Sequence, residues 1–419
     1  MRAATAALLM TTAFELTSAS SLHQDDSLRA RTRRLHRNAI VVDTHADLTP
    51  FIELDTRVPL IGDPGMAGGG YDPAAHAAAQ PVLPTDSWSN KFPKGPWRFT
   101  DRHTDGYMDL PRMRDGGLDA EFFSIYMEEE PRPGMAVRRA LDQIEAVRAL
   151  CAKYPTDVAL ALHADDVVNI VKSGRIAALM GLEGGHMIED DLRALRVFSD
   201  LGVRYMSITH AFNTDWADSS GVGPPLAPTH DGLSPFGRFV VEEMNRLGML
   251  VDVSHGGDKT FWDVLAVTKA PIIASHSGCR AIKNHPRNMS DDMLRALAKN
   301  GGVIQIDAVT KYINPAIPID FTPRSYTDPV REPPTPLSVF IDHIAHAIQV
   351  AGSDHVGLGL DYGYGVPAPV GLEDVSKLES VTYELLVRGF DEATVRKVLG
   401  ENTLRVMREA EQVAGVRSR

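Results

Sequence analysis

The chain has 419 residues, a formal net charge of −12, 43% hydrophobic and 23% charged residues. This is the composition of an ordinary globular protein with enough apolar residues for a large core, and its acidity leaves no basic footprint for a nucleic acid. Two cysteines, Cys151 and Cys279, are too few for a disulfide-built fold or a cysteine-based zinc module.

Residues 1–19 have the outline of a secretory signal peptide: Met1-Arg2, an apolar run to Leu16 broken by Glu15 and several Thr, then Thr17-Ser18-Ala19. A cleaved leader would place the protein in the periplasm or outside the cell, and a retained tail in the cytoplasm. No other run is apolar for about 18 residues, so no membrane span is expected. Residues 20–419 read as a single domain. Its first strand is Ile40-Val41-Val42, short, apolar and β-branched. His45 and Asp47 follow at its tip. Residues i and i+2 of a strand share a face, so an imidazole and a carboxylate, two common ligands of zinc-like cations, project together. Residues 49–107 are rich in Pro and Gly and lack periodicity, which suggests a long insertion, either a lid over the site or a disordered segment.

Further strands are predicted at 122–126, 176–182, 205–209, 250–253, 271–274, 303–306 and 356–360. Helices are predicted at 137–150, at 192–201 before Gly202, from the Ser234 cap and Pro235 to Leu247 before Gly248, from the Ser290 cap to Asn300, and at 337–350. Two or more helices follow residue 375. Eight strands alternating mostly with helices imply βαβ units and a parallel sheet. The fold class expected is therefore α/β, a (β/α)8 TIM-like barrel with a long insertion after strand 1 and C-terminal helices. An open doubly wound sheet is disfavoured, because the phosphate-cradling glycine motifs of such folds are missing.

His45, Asp47, Glu183, His210, His255, His276 and Asp361 all fall at C-terminal ends of predicted strands, the face on which barrel active sites are built. His45, Asp47, Glu183, His255 and His276 are too many ligands for one tetrahedral cation with an open position. They suit two cations sharing a carboxylate. Two such ions about 3.5–4 Å apart can hold a hydroxide and polarise a carbonyl or phosphoryl oxygen, so hydrolysis is the reaction class expected.

From about Ala39 to Val406 the chain resembles the membrane (renal) dipeptidase family of zinc hydrolases, related to the amidohydrolase barrels. The resemblance is carried by Asp43-Thr44-His45-Ala46-Asp47, Asp109-Leu110-Pro111-Arg112, Phe122-Phe123-Ser124, Gly181-Leu182-Glu183-Gly184, Arg204-Tyr205-Met206 with Thr209-His210, and Asn213-Thr214-Asp215-Trp216-Ala217-Asp218. Asp252-Val253-Ser254-His255, Ser275-His276-Ser277 and His285-Pro286-Arg287-Asn288 complete it. The resemblance implies two Zn2+ per chain, one on His45 and Asp47, one on His255 and His276, with Glu183 bridging both. It implies that His210 binds substrate and stabilises the oxyanion, that Arg287 holds the substrate's C-terminal carboxylate, and that Asp361 handles the proton of the leaving amine. Asp218 is expected behind the ligands. The activity implied is a dipeptidase acting through a metal-bridging hydroxide, tolerant of a C-terminal D-residue, with small peptides as partners and a homodimer allowed. A related amidohydrolase acting on an N-acyl amino acid, lactone or peptide-like metabolite is the alternative. The chain departs from the family's Gly-x-Asp-Phe-Asp-Gly at the last strand, where Gly359-Leu360-Asp361-Tyr362-Gly363 keeps the first Asp and loses the second.

Overall fold

Parallel pairing closes the sheet on itself. The structure, a computed structural model, describes residues 25–56, 97–104, 106–127, 134–222, 226–319, 333–363 and 367–415. Helix α1 spans 25–38. It is followed by β1 (Val42–Ala46), α2 (Thr49–Thr56), α3 (Leu110–Gly116), β2 (Ala120–Tyr126), α4 (Ala136–Lys153), β3 (Val158–Leu160), α5 (Ala164–Lys172), β4 (Ile176–Glu183), α6 (Leu192–Leu201) and β5 (Val203–Ser207). Then come α7 (Pro235–Leu247), β6 (Leu250–Asp252), α8 (Asp258–Val267), β7 (Ile273–Ser277), α9 (Asp291–Asn300), β8 (Val303–Ile306) and the single turn α10 (Thr310–Ile313). The chain ends with α11 (Leu337–Ala351), β9 (Val356–Leu358), α12 (Glu379–Val387), α13 (Glu392–Arg396) and α14 (Asn402–Val413).

The strands pair in the order β1-β2-β4-β5-β6-β7-β8-β9, and β9 returns to β1 with Asp43 beside Leu358. That ring is the expected eight-stranded barrel. β3 pairs with the first residues of β4 and stands outside it, a strand too short to register as periodicity. The first strand runs from Val42 to Ala46 instead of 40–42, so His45 lies within it. Helix boundaries follow local chemistry closely. Ser234 and Ser290 accept hydrogen bonds from Gly237 N and Met293 N, and Gly202, Gly248 and Gly301 stop their helices at φ 116°, 71° and 85°.

Two apolar clusters hold the barrel. Val42, Phe122, Leu179, Tyr205, Leu250, Ile273 and Val303 form the inner one, with Leu404 and Met407 of α14 against it. The outer one packs the strands on the helices and includes Val41, Ala46, Phe123, Met180 and Ile304. Each fully buried side chain of this kind contributes roughly 1.5–3 kcal/mol, so the wall is rigid enough to fix what its rim carries. Within the expected insertion, α2 and buried Trp97 and Phe99 pack on the barrel. Residues 57–96 and 105 of that insertion, and the expected leader, lie outside the described residues. Among the described residues no helix is long and apolar enough to cross a membrane, and both cysteines are free.

Candidate metal centre

Two bulges build the site. Along β1 the pairing with β2 slips by one residue between Asp43 and Ala46. Val42 belongs to the inner cluster and Ala46 to the outer one, which strict alternation would forbid. The extra residue turns His45 into the barrel. β7 slips in the same way against β8 between Ala274 and Ser277, and His276 turns inward. Thr44 Oγ1 donates to Ser275 O at 2.7 Å, and the rings of His45 and His276 lie 3.9 Å apart.

Glu183, the last residue of β4, sits between them. Its Oε1 lies 3.1 Å from His255 Nε2, 3.4 Å from His276 Nε2 and 3.6 Å from His210 Nε2. Its Oε2 lies 3.5 Å from His45 Nε2. His45 Nε2 is also 3.5 Å from Asp47 Oδ1 and 3.8 Å from Asp361 Oδ1. The seven rim residues named from the sequence therefore converge. Arg287 joins them through Nη2, which donates to His276 O at 3.0 Å.

Backbone strain accompanies this convergence. His255 and Asp361 occupy the left-handed region at φ 65° and 55°. Thr209 Oγ1, Ser219 Oγ and Ser220 N all donate to His255 O, which locks its conformation. Asp361 N donates to His45 O and Asp47 N to Tyr362 O, joining the tips of β1 and β9.

The donors fit cations. His255 Nε2 and His276 Nε2 are 2.9 Å apart, closer than two lone pairs tolerate without a proton or a cation between them. His45 Nε2 and Asp47 Oδ1 are buried with no hydrogen-bond partner. His45, Asp47 and Glu183 offer ligand atoms within 4.8 Å of one another, as do Glu183, His210 and His255, and His45, His276 and Asp361. Histidine and carboxylate donors without thiolate suit zinc and similar divalent ions. His210 lies farther from Glu183 than its two neighbours, and its side chain is 12% exposed against 5% and 0% for His255 and His276.

The electrostatics match the burial. Burial pushes His255 and His276 well below the usual imidazole range, aided by Arg287 and His45 respectively, so both keep a lone pair. Burial alone would raise Glu183, but His210 and His45 outweigh it and hold the carboxyl well below its usual range. Burial, then the charge of Asp307, push Asp361 well above the carboxylate range. On the far wall, burial and the cations Arg287, Lys283 and Lys311 push His285 down to about 3. Arg287 Nε and Nη1 are buried there with no hydrogen-bond partner.

Several supporting residues were given no specific contact at the sequence level. Asp252 accepts from Ser207 Oγ, Ser275 Oγ, Ser275 N and Ser254 N, and Ser275 Oγ meets His276 Nδ1 at 2.9 Å. Asp307 follows β8 at the same rim, with Oδ2 buried and unpartnered. Its signal was a carboxylate directly after a predicted strand. Asp218 does not stand behind a ligand side chain. Its carboxylate accepts from Thr229 N, His230 N and Gly232 N, and so shapes the loop that supports His255. Tyr362, beside the lost second Asp, stacks on Tyr107 at 5.3 Å and donates to Leu372 O.

Known proteins share this arrangement of sequence and fold. The family model for membrane dipeptidase, peptidase family M19, matches residues 29–418. Dipeptidase tcpJ of Claviceps purpurea is 39% identical over 318 residues, covering 74% of this chain and 70% of its own length. Dipeptidase 3 of Mus musculus is 38% identical over 311 residues, covering 74% of this chain and 59% of its own. The crystal structure of the probable dipeptidase PvdM from Pseudomonas aeruginosa superposes with a TM-score of 0.75 at 24% identity, over 93% of this chain and 100% of that one. The chain therefore belongs to the membrane dipeptidase family, peptidase family M19, and is an enzyme of that metallopeptidase class.

Proposed function

We propose that this enzyme hydrolyses dipeptides with two zinc ions, one on His45 and Asp47 and one on His255 and His276, bridged by Glu183. The observation that carries this reading is the split of the Glu183 carboxylate. One oxygen faces His255 and His276, and the other faces His45. Zinc bound there would polarise the scissile carbonyl and lower the pKa of a water.

The chain's own groups do the rest. Arg287 holds the free carboxylate of the C-terminal residue through Nε and Nη1, which limits substrates to very short peptides. His210 Nε2 donates to the oxygen on which charge develops. Asp361 takes up the proton released during attack and delivers it to the leaving amine, a task suited to a carboxyl whose proton affinity is raised. The family resemblance supports tolerance of a D-residue at the C-terminal position, and the proposed specificity includes L-Xaa-D-Xaa.

The test is a panel of L,L and L,D dipeptides with their N-acylated counterparts, assayed on zinc-loaded protein. Dipeptides should be cleaved and their N-acylated counterparts should not. Cleavage confined to the N-acyl compounds would overturn the reading. A second expected result concerns stability. Chelation should lower the thermal midpoint, because metals held at 100 to 1,000 times Kd contribute about 2.7–4 kcal/mol, and added zinc should restore it. An unchanged midpoint after verified metal removal would count against ligation by these residues.

A further inference from the structure

We infer that Tyr205 is a positioning residue that sets the tautomer of His45 and thereby the affinity of the cation position built on His45 and Asp47. The inference rests on the two-cation reading above.

Tyr205 lies in β5, is fully buried, and belongs to the inner cluster of the barrel. Its ring crosses to β4 above Gly181. A Cβ at residue 181 would lie 1.9 Å from Tyr205 Cζ and 2.3 Å from its hydroxyl, so glycine is needed there for the ring to pass. The hydroxyl emerges at β1 between two groups. It donates to Thr44 O at 3.0 Å and lies 2.8 Å from His45 Nδ1.

A phenol has one hydrogen. With that hydrogen committed to Thr44 O, the tyrosine oxygen can only accept from His45, so Nδ1 must carry a proton. A ring protonated on Nδ1 can ligate a cation only through Nε2, the atom that faces Asp47, Glu183 and Asp361 at 3.5, 3.5 and 3.8 Å. Three carboxylate oxygens around Nε2 favour positive charge at that atom, which a bound cation supplies. The bulge in β1 supplies the carbonyl, since Thr44 is one of the residues within the slip.

The second position is backed differently. His276 Nδ1 meets Ser275 Oγ, which donates to Asp252 Oδ2 at 2.6 Å. A carboxylate thus stands behind His276 and a neutral phenol behind His45. Removing the phenol should weaken one position and leave the other alone.

The experiment is competition for zinc against a chromophoric chelator. Wild type should show two tight equivalents. Tyr205→Phe keeps the ring over Gly181 and removes only the oxygen, and one of its equivalents should weaken about 10- to 100-fold while the other is unchanged. Gly181→Ala, which leaves the hydroxyl chemically intact but displaces the ring, should weaken the same equivalent. If Tyr205→Phe binds both equivalents as wild type does, or loosens both alike, the inference is wrong. A wild type lacking two equivalents would overturn the two-cation reading beneath it. A readout independent of any variant is the 15N-histidine NMR spectrum of the zinc-loaded wild type. His45 should carry its proton on Nδ1, and a proton on Nε2 would also overturn the inference.

Discussion

Replacing Glu183 by Gln is expected to reduce bound zinc from two equivalents to one or none and to lower kcat/KM by at least about 10^3-fold, roughly 4 kcal/mol. The reason is geometric. Both Glu183 oxygens are already used, Oε1 within 3.6 Å of three histidine nitrogens and Oε2 within 3.5 Å of a fourth. An amide would keep one oxygen and turn an N–H2 toward atoms that must be lone pairs for a cation to bind. The side chain is deeply buried, so water cannot replace the lost oxygen. The shape is conserved by the substitution, so secondary structure measured by circular dichroism should be unchanged. A Glu183→Gln protein that holds two zinc ions and hydrolyses dipeptides at the wild-type rate would refute the bridging role.

The second large effect belongs to Arg287, where activity and stability should move in opposite directions. The guanidinium is 3% exposed. It stands 5.4 Å from the Tyr312 ring, gives one hydrogen bond to His276 O, and has no carboxylate within ion-pair distance among the described residues. Two buried donors without partners cost stability. Such a cost is tolerable where a ligand later supplies the partner. Hydrogen bonds to a charged group contribute about 1.5–3 kcal/mol each, so Arg287→Met should lower kcat/KM by about 10^2–10^4-fold, mostly through KM. The same substitution should raise the thermal midpoint of the metal-free protein, since a desolvated, unpaired charge is gone. Arg287→Lys should restore little activity, because a single ammonium cannot reproduce the planar fork. Unchanged KM in Arg287→Met would remove this residue from substrate recognition.

How far these residues could be read in advance depends on the range of the interaction that places them. Local chemistry was legible. Gly202, Gly248 and Gly301 stop helices, Ser234 and Ser290 cap them, and each acts within four residues of itself. The eight barrel strands were legible because both faces of a parallel strand are buried and read as apolar runs. The rim residues followed, since each lies at or just past a strand end. Register across strands was not legible. His45 and His276 enter the barrel through one-residue slips against β2 and β8, and a single sequence shows no pairing partner. The i, i+2 spacing of His45 and Asp47 carries no trace of the bulge between Asp43 and Ala46 that turns His45 inward. Tyr205 was hidden for the same reason, because its meaning depends on Gly181 opposite and on Thr44 across the barrel. Helix α2 was read as loop, since Thr49-Pro50 and the short span of Thr49–Thr56 leave too little periodicity to detect. The lost second acid after Asp361 is the one departure whose chemical consequence is local: Tyr362 packs on Tyr107 and leaves Asp361 in place at the rim.

The central claim is that Glu183 joins two cation positions on opposite sides of one carboxylate. A crystal structure of zinc-loaded protein, with anomalous difference maps on either side of the zinc edge, tests it most directly. Two peaks should appear about 3.5–4 Å apart, one against His45 and Asp47 and the other against His255 and His276, each in contact with a different Glu183 oxygen. A single peak, or two peaks of which only one touches Glu183, would contradict it.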